Sequence, residues 1–444
     1  MADAPIDLES YHDRLNRVDP YRLNGRVVQV IGLVIEAQGP EAKVGELCHV
    51  HVSRHEEPVP AEVVGFREGR TLLMPLGEMR GIAPGNEVVA SGYPVRIGVG
   101  EALLGRVINA QGEPIDGKGP IAAEARMSLY ADPPPPLSRR RIDTQLELGV
   151  RAMDSMLPMG RGQRLGVFAG SGVGKSSLMG MIARSTEAQV NVIALVGERG
   201  REVLEFIERD LGPEGMKRSV VVVASSNESA VMRIGAAFAA TSVAEYFRDR
   251  GNDVLLMLDS VTRFAMAQRE IGLAIGEPPA TRGYTPSVFA LLPRLLERAG
   301  TSTRGTITGL YTVLVEGDDM NEPIADAVRG ILDGHIVLSR ELAHKNHYPA
   351  IDVLQSISRL QGELLTPEQI RAAGIVRETL ATYAAREDLV AIGAYAIGTD
   401  PKVDYAIAKK PEIDGFLQQG QTERSTAPEA RAQLELLVGD APRY

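Results

Sequence analysis

The segment AGSGVGKS, residues 169–176, limits what this chain can fold into more than any other stretch. The apolar run RLGVF precedes it and the helix-forming run KSSLMGMIA follows. Glycines at 170, 172 and 174 let the backbone turn its N–H groups inward around an anion, and such a loop belongs between a strand end and a helix start. The match to the phosphate-loop pattern G-x-x-x-x-G-K-[ST] is one methyl group short of strict, because Ala169 fills the first glycine position. In that pattern Lys175 reaches the β- and γ-phosphates and the Ser176 hydroxyl holds Mg²⁺. Gly170, Ser171, Gly172, Val173, Gly174 and Ser177 complete the expected nucleotide cradle, with ATP and Mg²⁺ as its expected occupants.

The surrounding texture agrees with such a loop. From about residue 138, buried-type strands (RLGVFAG, VNVIALVG, RSVVVVAS, DVLLMLDS, ITGLYTVLVEG) alternate with helical runs such as SAVMRIGAAFAATSVAEYFRDRG. Strand–helix alternation with doubly buried strands means a parallel α/β sheet. Upstream, RVVQVIGLVIEA, ELCHVHV, AEVVGF, RTLLMPL and NEVVASG are short β-rich runs punctuated by Gly and Pro, the pattern of a small β-barrel or sandwich. After Leu365 the pattern turns helical, with Thr366 as N-cap, Pro367 at the first helical position and Gln369 completing a capping box.

The expected organisation is therefore a docking arm (1–24), a β-barrel oligomerisation domain (25–95), a RecA-like ATPase domain (96–360) and a C-terminal helical domain (361–444). In the arm, Leu8, Tyr11, Leu15 and Val18 sit at helical spacing. Four prolines stiffen residues 131–141, ADPPPPLSRRR, into an extended crossing over the core rather than a hinge.

A triphosphate site needs a further carboxylate for the metal, and DVLLMLDS ends a buried strand on Asp259, as a Walker B strand does. Hydrolysis also needs a group that activates water. VIALVGERGREV ends a strand at Val196 and presents Glu198, Arg199, Arg201 and Glu202 at the edge where α/β sheets hold ligands, and Glu198 is the candidate.

Composition narrows the partners. A net charge of −10 disfavours a phosphate-backbone partner, and no apolar run approaches membrane-spanning length. The acidic start lacks the features of a secretory signal, and one cysteine excludes an internal disulfide, so a cytosolic protein is expected. Cys48 lies among His49, His51 and His55, yet strand alternation sets His49 and His51 on the face opposite Cys48, against a metal site there.

Together AGSGVGKS, VGERGREV, LLMLDSVTRFAMAQREI, GEPPATRGYTPSVFALLPRLLERAG, LYTVLVEGDDMNEPIADAVRGILDGHIVLSR and HYPAIDVLQSISRL resemble the catalytic subunits of hexameric rotary-type ATPases, and within them the ATPases of flagellar and type III protein export. The resemblance spans nearly the whole chain. It implies that Glu198 activates the attacking water, with Arg199 and Arg263 facing the γ-phosphate. It implies that Tyr348 stacks on adenine and that Arg359 enters the neighbouring subunit's site as an arginine finger. The family's non-catalytic sister subunit has Gln where Glu198 stands, so this chain holds the complete set that a homohexamer needs.

The implied function is ATP hydrolysis that energises flagellar export, releasing chaperones and promoting entry of unfolded substrates. The implied partners are further copies of the chain, a negative-regulator or stator protein at the arm, a coiled-coil stalk, export-gate membrane proteins, and export chaperones with their substrates. The implied location is the cytoplasmic face of the inner membrane, and no nucleic acid is expected. The loop at residues 277–289, too rich in Pro, Gly and Thr for a core element, is expected to face the ring's channel and to touch the stalk through Tyr284 and Thr285. Alternatives are a virulence secretion ATPase, the catalytic subunit of a proton-translocating synthase, a ring-shaped RNA translocase, and a scaffold that binds nucleotide without turnover. The acidic balance and the absence of Trp argue against the RNA reading.

Overall fold

The computed structural model describes residues 24–53, 55–439 and 441, so the expected arm helix over residues 6–18 lies outside the described residues. The described residues divide into two compact units, one running to residue 95 and including 274–276, the other comprising 96–273 and the described residues from 277 on.

In the first unit, strands β1 (Gly25–Ile31), β2 (Val34–Gln38), β3 (Glu46–His51), β4 (Val59–Arg67), β5 (Arg70–Pro75) and β6 (Glu87–Pro94) close into a barrel in the order β1-β2-β5-β4-β3-β6. The run RVVQVIGLVIEA forms two strands, because Gly32 takes a left-handed φ of 56° and turns the chain back on itself. Val27, Ile35, Cys48, Val50, Val63 and Leu73 fill the interior. Cys48 is buried while His51 is exposed, as strand alternation requires. Among the described residues, no group of His, Cys, Asp and Glu is arranged to hold a metal ion.

In the second unit β7 (Arg96–Val99) pairs with β9 (Ala125–Ser128), and β8 (Arg106–Asn109) joins the main sheet. That sheet contains β10 (Arg164–Ala169), β11 (Val190–Val196), β12 (Ser219–Ala224), β13 (Asp253–Asp259), β15 (Thr306–Leu314), β16 (Gly334–Leu338) and β17 (Ile351–Ser358), with the short β14 (Gly300–Thr301) beside β15. Its order is β17-β16-β10-β15-β13-β11-β12-β8. Neighbours along this path run parallel except β17, which lies antiparallel to β16 at the edge. The parallel arrangement brings the carboxyl ends of β10, β11, β13, β15 and β16 to one side.

The helices Pro367–Ala384, Pro401–Leu417 and Ala427–Leu437 share one hydrophobic core with this sheet: Val376, Phe416 and Leu434 pack in the same cluster as Val167 and Ile336. Thr366 and Gln369 form the reciprocal capping box at the first of these helices. The proline-rich segment runs along the unit's surface, anchored where the Arg139 guanidinium donates to the Ala299 carbonyl (2.8 Å) and that of Arg140 to the Ser302 carbonyl (2.9 Å).

The loop after Glu277 departs from expectation. A helix, Pro286–Leu296, begins inside it, and Tyr284 and Thr285 are buried rather than presented to a partner. Tyr284 packs edge-on to Phe289 and Thr285 shares a hydrogen bond with Ser287, so packing claims two side chains whose loop composition suggested exposure. Residues 278–282 are the exposed stretch.

Candidate active site

Apolar β10 is buried along nearly its whole length and releases the chain at Gly170, and the helix Lys175–Ser185 starts five residues later. Gly172 and Gly174 have φ of 78° and 93°, values that a side chain rarely tolerates, so glycine is required for the loop to curl its amides inward. Val173 is buried and pins the loop to the core, while Ser171 and Ser176 are exposed. Ser177 accepts a hydrogen bond from Gln421 at 3.2 Å, tying the loop's helix to the C-terminal helical region.

The loop forms one wall of a cavity of about 720 Å³, which Glu198, Arg199, Glu202, Arg263, Arg269, Glu322 and Arg340 also line. Lys175 forms an ion pair with Asp259, and its Nζ lies 3.6 Å from Glu198. Burial works to lower the Lys175 pKa, but the Asp259 and Glu198 carboxylates prevail and hold it above its ordinary value, so the ammonium stays charged. Burial pushes the Glu198 carboxyl up to about 7; Lys175 opposes that shift, while Asp259 and a hydrogen bond with Glu202 add to it. A carboxyl poised near neutrality can accept a proton from water at working pH.

Asp259 is buried at the end of β13. Arg263, in the first turn of the helix Val261–Ala274, lines the cavity with its Nε buried and without a hydrogen-bond partner among the described residues, an arrangement suited to an incoming anion. Arg199 is exposed and faces Glu202 at 3.6 Å. The structure thus brings the loop, Lys175, Glu198, Arg199, Arg263 and Asp259 to one place.

Of the expected residues, Val173, Asp259, Tyr348 and Arg359 lie outside the cavity lining: Val173 and Asp259 are buried behind it, and the other two stand apart from it. Tyr348 is 40% exposed, and its ring lies against Gly174, where an added Cβ would meet it at 3.4 Å. Arg359 follows the edge strand β17, exposed, with its guanidinium donating to the Arg329 carbonyl at 3.2 Å. The sequence reading missed Thr312, one of three threonines on β15, which donates to Asp259 at 2.7 Å. It also missed Arg269, Tyr284, Glu322 and Arg340 in the cavity wall. Their signal was weak, because which strand ends adjoin β10 depends on the sheet order.

Residues 149–358 match the ATP synthase alpha/beta family, nucleotide-binding domain, and residues 27–92 match its beta-barrel domain. Residues 365–436 match the T3SS EscN ATPase C-terminal domain. The flagellum-specific ATP synthase of Bacillus subtilis strain 168 is 55% identical over 433 residues, covering 97% of this chain and 99% of that protein. The chain belongs to the ATP synthase alpha/beta family. Among other members of this family, the type 3 secretion system ATPase of Xanthomonas euvesicatoria is 49% identical, with 99% of each chain covered. The assembled ATPase EscN from the enteropathogenic E. coli type III secretion system superposes with a TM-score of 0.88 at 45% identity, covering 93% of this chain and 100% of that one. EscN has also been solved in complex with its central stalk EscO. In this chain no helix among the described residues is long and apolar enough to cross a membrane.

Proposed function

We propose that this family member hydrolyses ATP to ADP and phosphate and thereby energises flagellar type III protein export. The observation that supports it most is the close trio of Lys175, Glu198 and the buried Asp259 at the foot of the phosphate loop, with the Glu198 pKa near neutrality.

In this reading the loop amides and Lys175 hold the phosphates, and Tyr348 stacks on adenine. The donor set fits Mg²⁺: Ser176 offers a hydroxyl and Asp259 a carboxylate, hard oxygen ligands of the kind this ion takes. When bound, Mg²⁺ neutralises charge that develops on the phosphate oxygens. The Glu198 carboxylate accepts the proton of the attacking water, while Arg199 and Arg263 stabilise the transferring phosphoryl group. Arg359 acts in trans, entering the site of the next copy in a homohexamer, where such an arginine contributes about 10³ to 10⁵ in rate.

By analogy with EscN and its stalk, the exposed residues 278–282 meet a coiled-coil stalk protein. The proposed setting is the cytoplasmic face of the inner membrane, with export-gate proteins, chaperones and substrates as further partners and a regulator at the N-terminal arm.

The test is genetic. Delete the gene, restore it as wild type or Glu198→Gln, and score swimming together with filament protein in the medium. Rescue by wild type alone is expected. Normal motility in the deletion strain would reject the flagellar reading in favour of virulence secretion, which the 49% identity to the Xanthomonas euvesicatoria ATPase makes the next to test.

A further inference from the structure

β15 and β16 flank β10, and their last residues, Leu314 and Leu338, are both in register with Ala169. Two positions beyond β15 the chain forms the turn Glu316–Asp318, and two positions beyond β16 it starts the helix Arg340–His344. Arg340 Nε donates to Asp318 Oδ2 at 3.1 Å, so this ion pair links the two flanking strands across the end of the strand between them. Gly170, the first residue of the phosphate loop, lies directly against the pair. A Cβ on Gly170 would fall 2.6 Å from Arg340 Nη2 and 2.8 Å from Asp318 Oδ1.

The turn is shaped for this contact. Gly317 and Asp318 both take left-handed backbone conformations, with φ of 61° and 58°, a region that glycine enters freely and aspartate more readily than most other residues. A second ion pair, Arg282 to Asp319 at 3.1 Å, fastens the other side of the same turn.

We propose that the Arg340–Asp318 pair is a strap across the phosphate loop, and that both are positioning residues which keep the loop in its anion-binding shape. The inference rests on the reading of the cavity as an ATP site. A loop held in shape spends none of the nucleotide's binding energy on its own ordering. Because the loop grips the phosphates alike in ground and transition states, loosening it raises KM and spares kcat.

Asp318 makes the test sharp, because charge and strap predict opposite signs. Removing a carboxylate beside a phosphate site should tighten ATP binding if charge alone matters, and should weaken it if the strap matters.

Steady-state ATP hydrolysis, and equilibrium dialysis with a labelled non-hydrolysable ATP analogue, would be measured on the purified full chain as wild type, Asp318→Asn, Arg340→Gln, Arg340→Lys and the Asp318→Asn/Arg340→Gln double variant. Expected are a rise in KM and Kd of about three- to fivefold in Asp318→Asn and Arg340→Gln, from the worth of a half-exposed ion pair, and a double variant no worse than either single. Arg340→Lys, which keeps the charge, should fall between. Unchanged or tighter binding in Asp318→Asn, or additive losses in the double variant, overturns the strap. If wild type binds ATP without turnover, the hydrolytic reading fails and the dialysis series still decides the strap; absence of binding in wild type overturns both.

Discussion

Thr312 on β15 donates its hydroxyl to Asp259 on the adjacent β13 at 2.7 Å, and so fixes the orientation of the carboxylate that Lys175 also grips. Thr312→Val keeps the shape of the side chain and removes the donor. The Mg²⁺ concentration for half-maximal ATPase activity should rise about tenfold, the usual effect of losing a partner that orients a metal ligand. A magnesium titration of both proteins reads this directly; an unchanged midpoint would separate Asp259 from the metal.

The Glu198 carboxyl is raised to about 7, first by burial and then by Asp259 and Glu202 acting against Lys175. Below that pH it holds its proton and cannot take another from water, so turnover should climb as pH passes through about 7. Glu202→Gln removes one of the raising influences. The acid limb of the rate profile should move to lower pH, increasing turnover at pH 6 relative to pH 8, whereas an unmoved limb would assign the titration to another group.

Arg359 is exposed at the sheet edge, outside the cavity lining of its own chain. Lys175→Ala and Arg359→Ala should each abolish turnover alone, by about 10³-fold or more for the arginine. Mixed before assembly, they should regain activity, since an intact loop on one chain then meets an intact Arg359 on the next. Assays across mixing ratios test this, and a mixture as inactive as its components would rule out action in trans.

Arg298 is fully buried, bonded to Glu245 at 2.6 and 2.9 Å, to Ser242 at 3.0 Å and to the Leu129 carbonyl. Arg298→Met strands the Glu245 carboxylate in the core and should cost about 3–5 kcal/mol in denaturant unfolding. Replacing both partners with apolar residues should recover much of that loss, because no charge then remains unpaired.

Much of the site was legible in the sequence because it is local. A phosphate loop needs its glycines, lysine and hydroxyl on consecutive residues, so residues 170–177 announced themselves. Asp259 and Glu198 followed because each sits within two residues of the end of a predominantly apolar, buried strand. The barrel strands and the Thr366 cap were likewise written in short-range alternation and side-chain type.

What the sequence did not determine depends on which strands become neighbours. Thr312 meets Asp259 only because β15 lies beside β13, and Arg340 meets Asp318 only because β10 lies between β15 and β16. The burial of Tyr284 and Thr285 was a tertiary decision too, since Phe289 and Ser287 enclose residues that loop composition alone would leave in solvent. Motif and periodicity act over a few residues, whereas strand order and packing join positions dozens of residues apart. The sequence therefore determined that a glycine loop would join a buried strand to a helix at residues 170–175, and the tertiary structure decided which side chains brace that loop from either side.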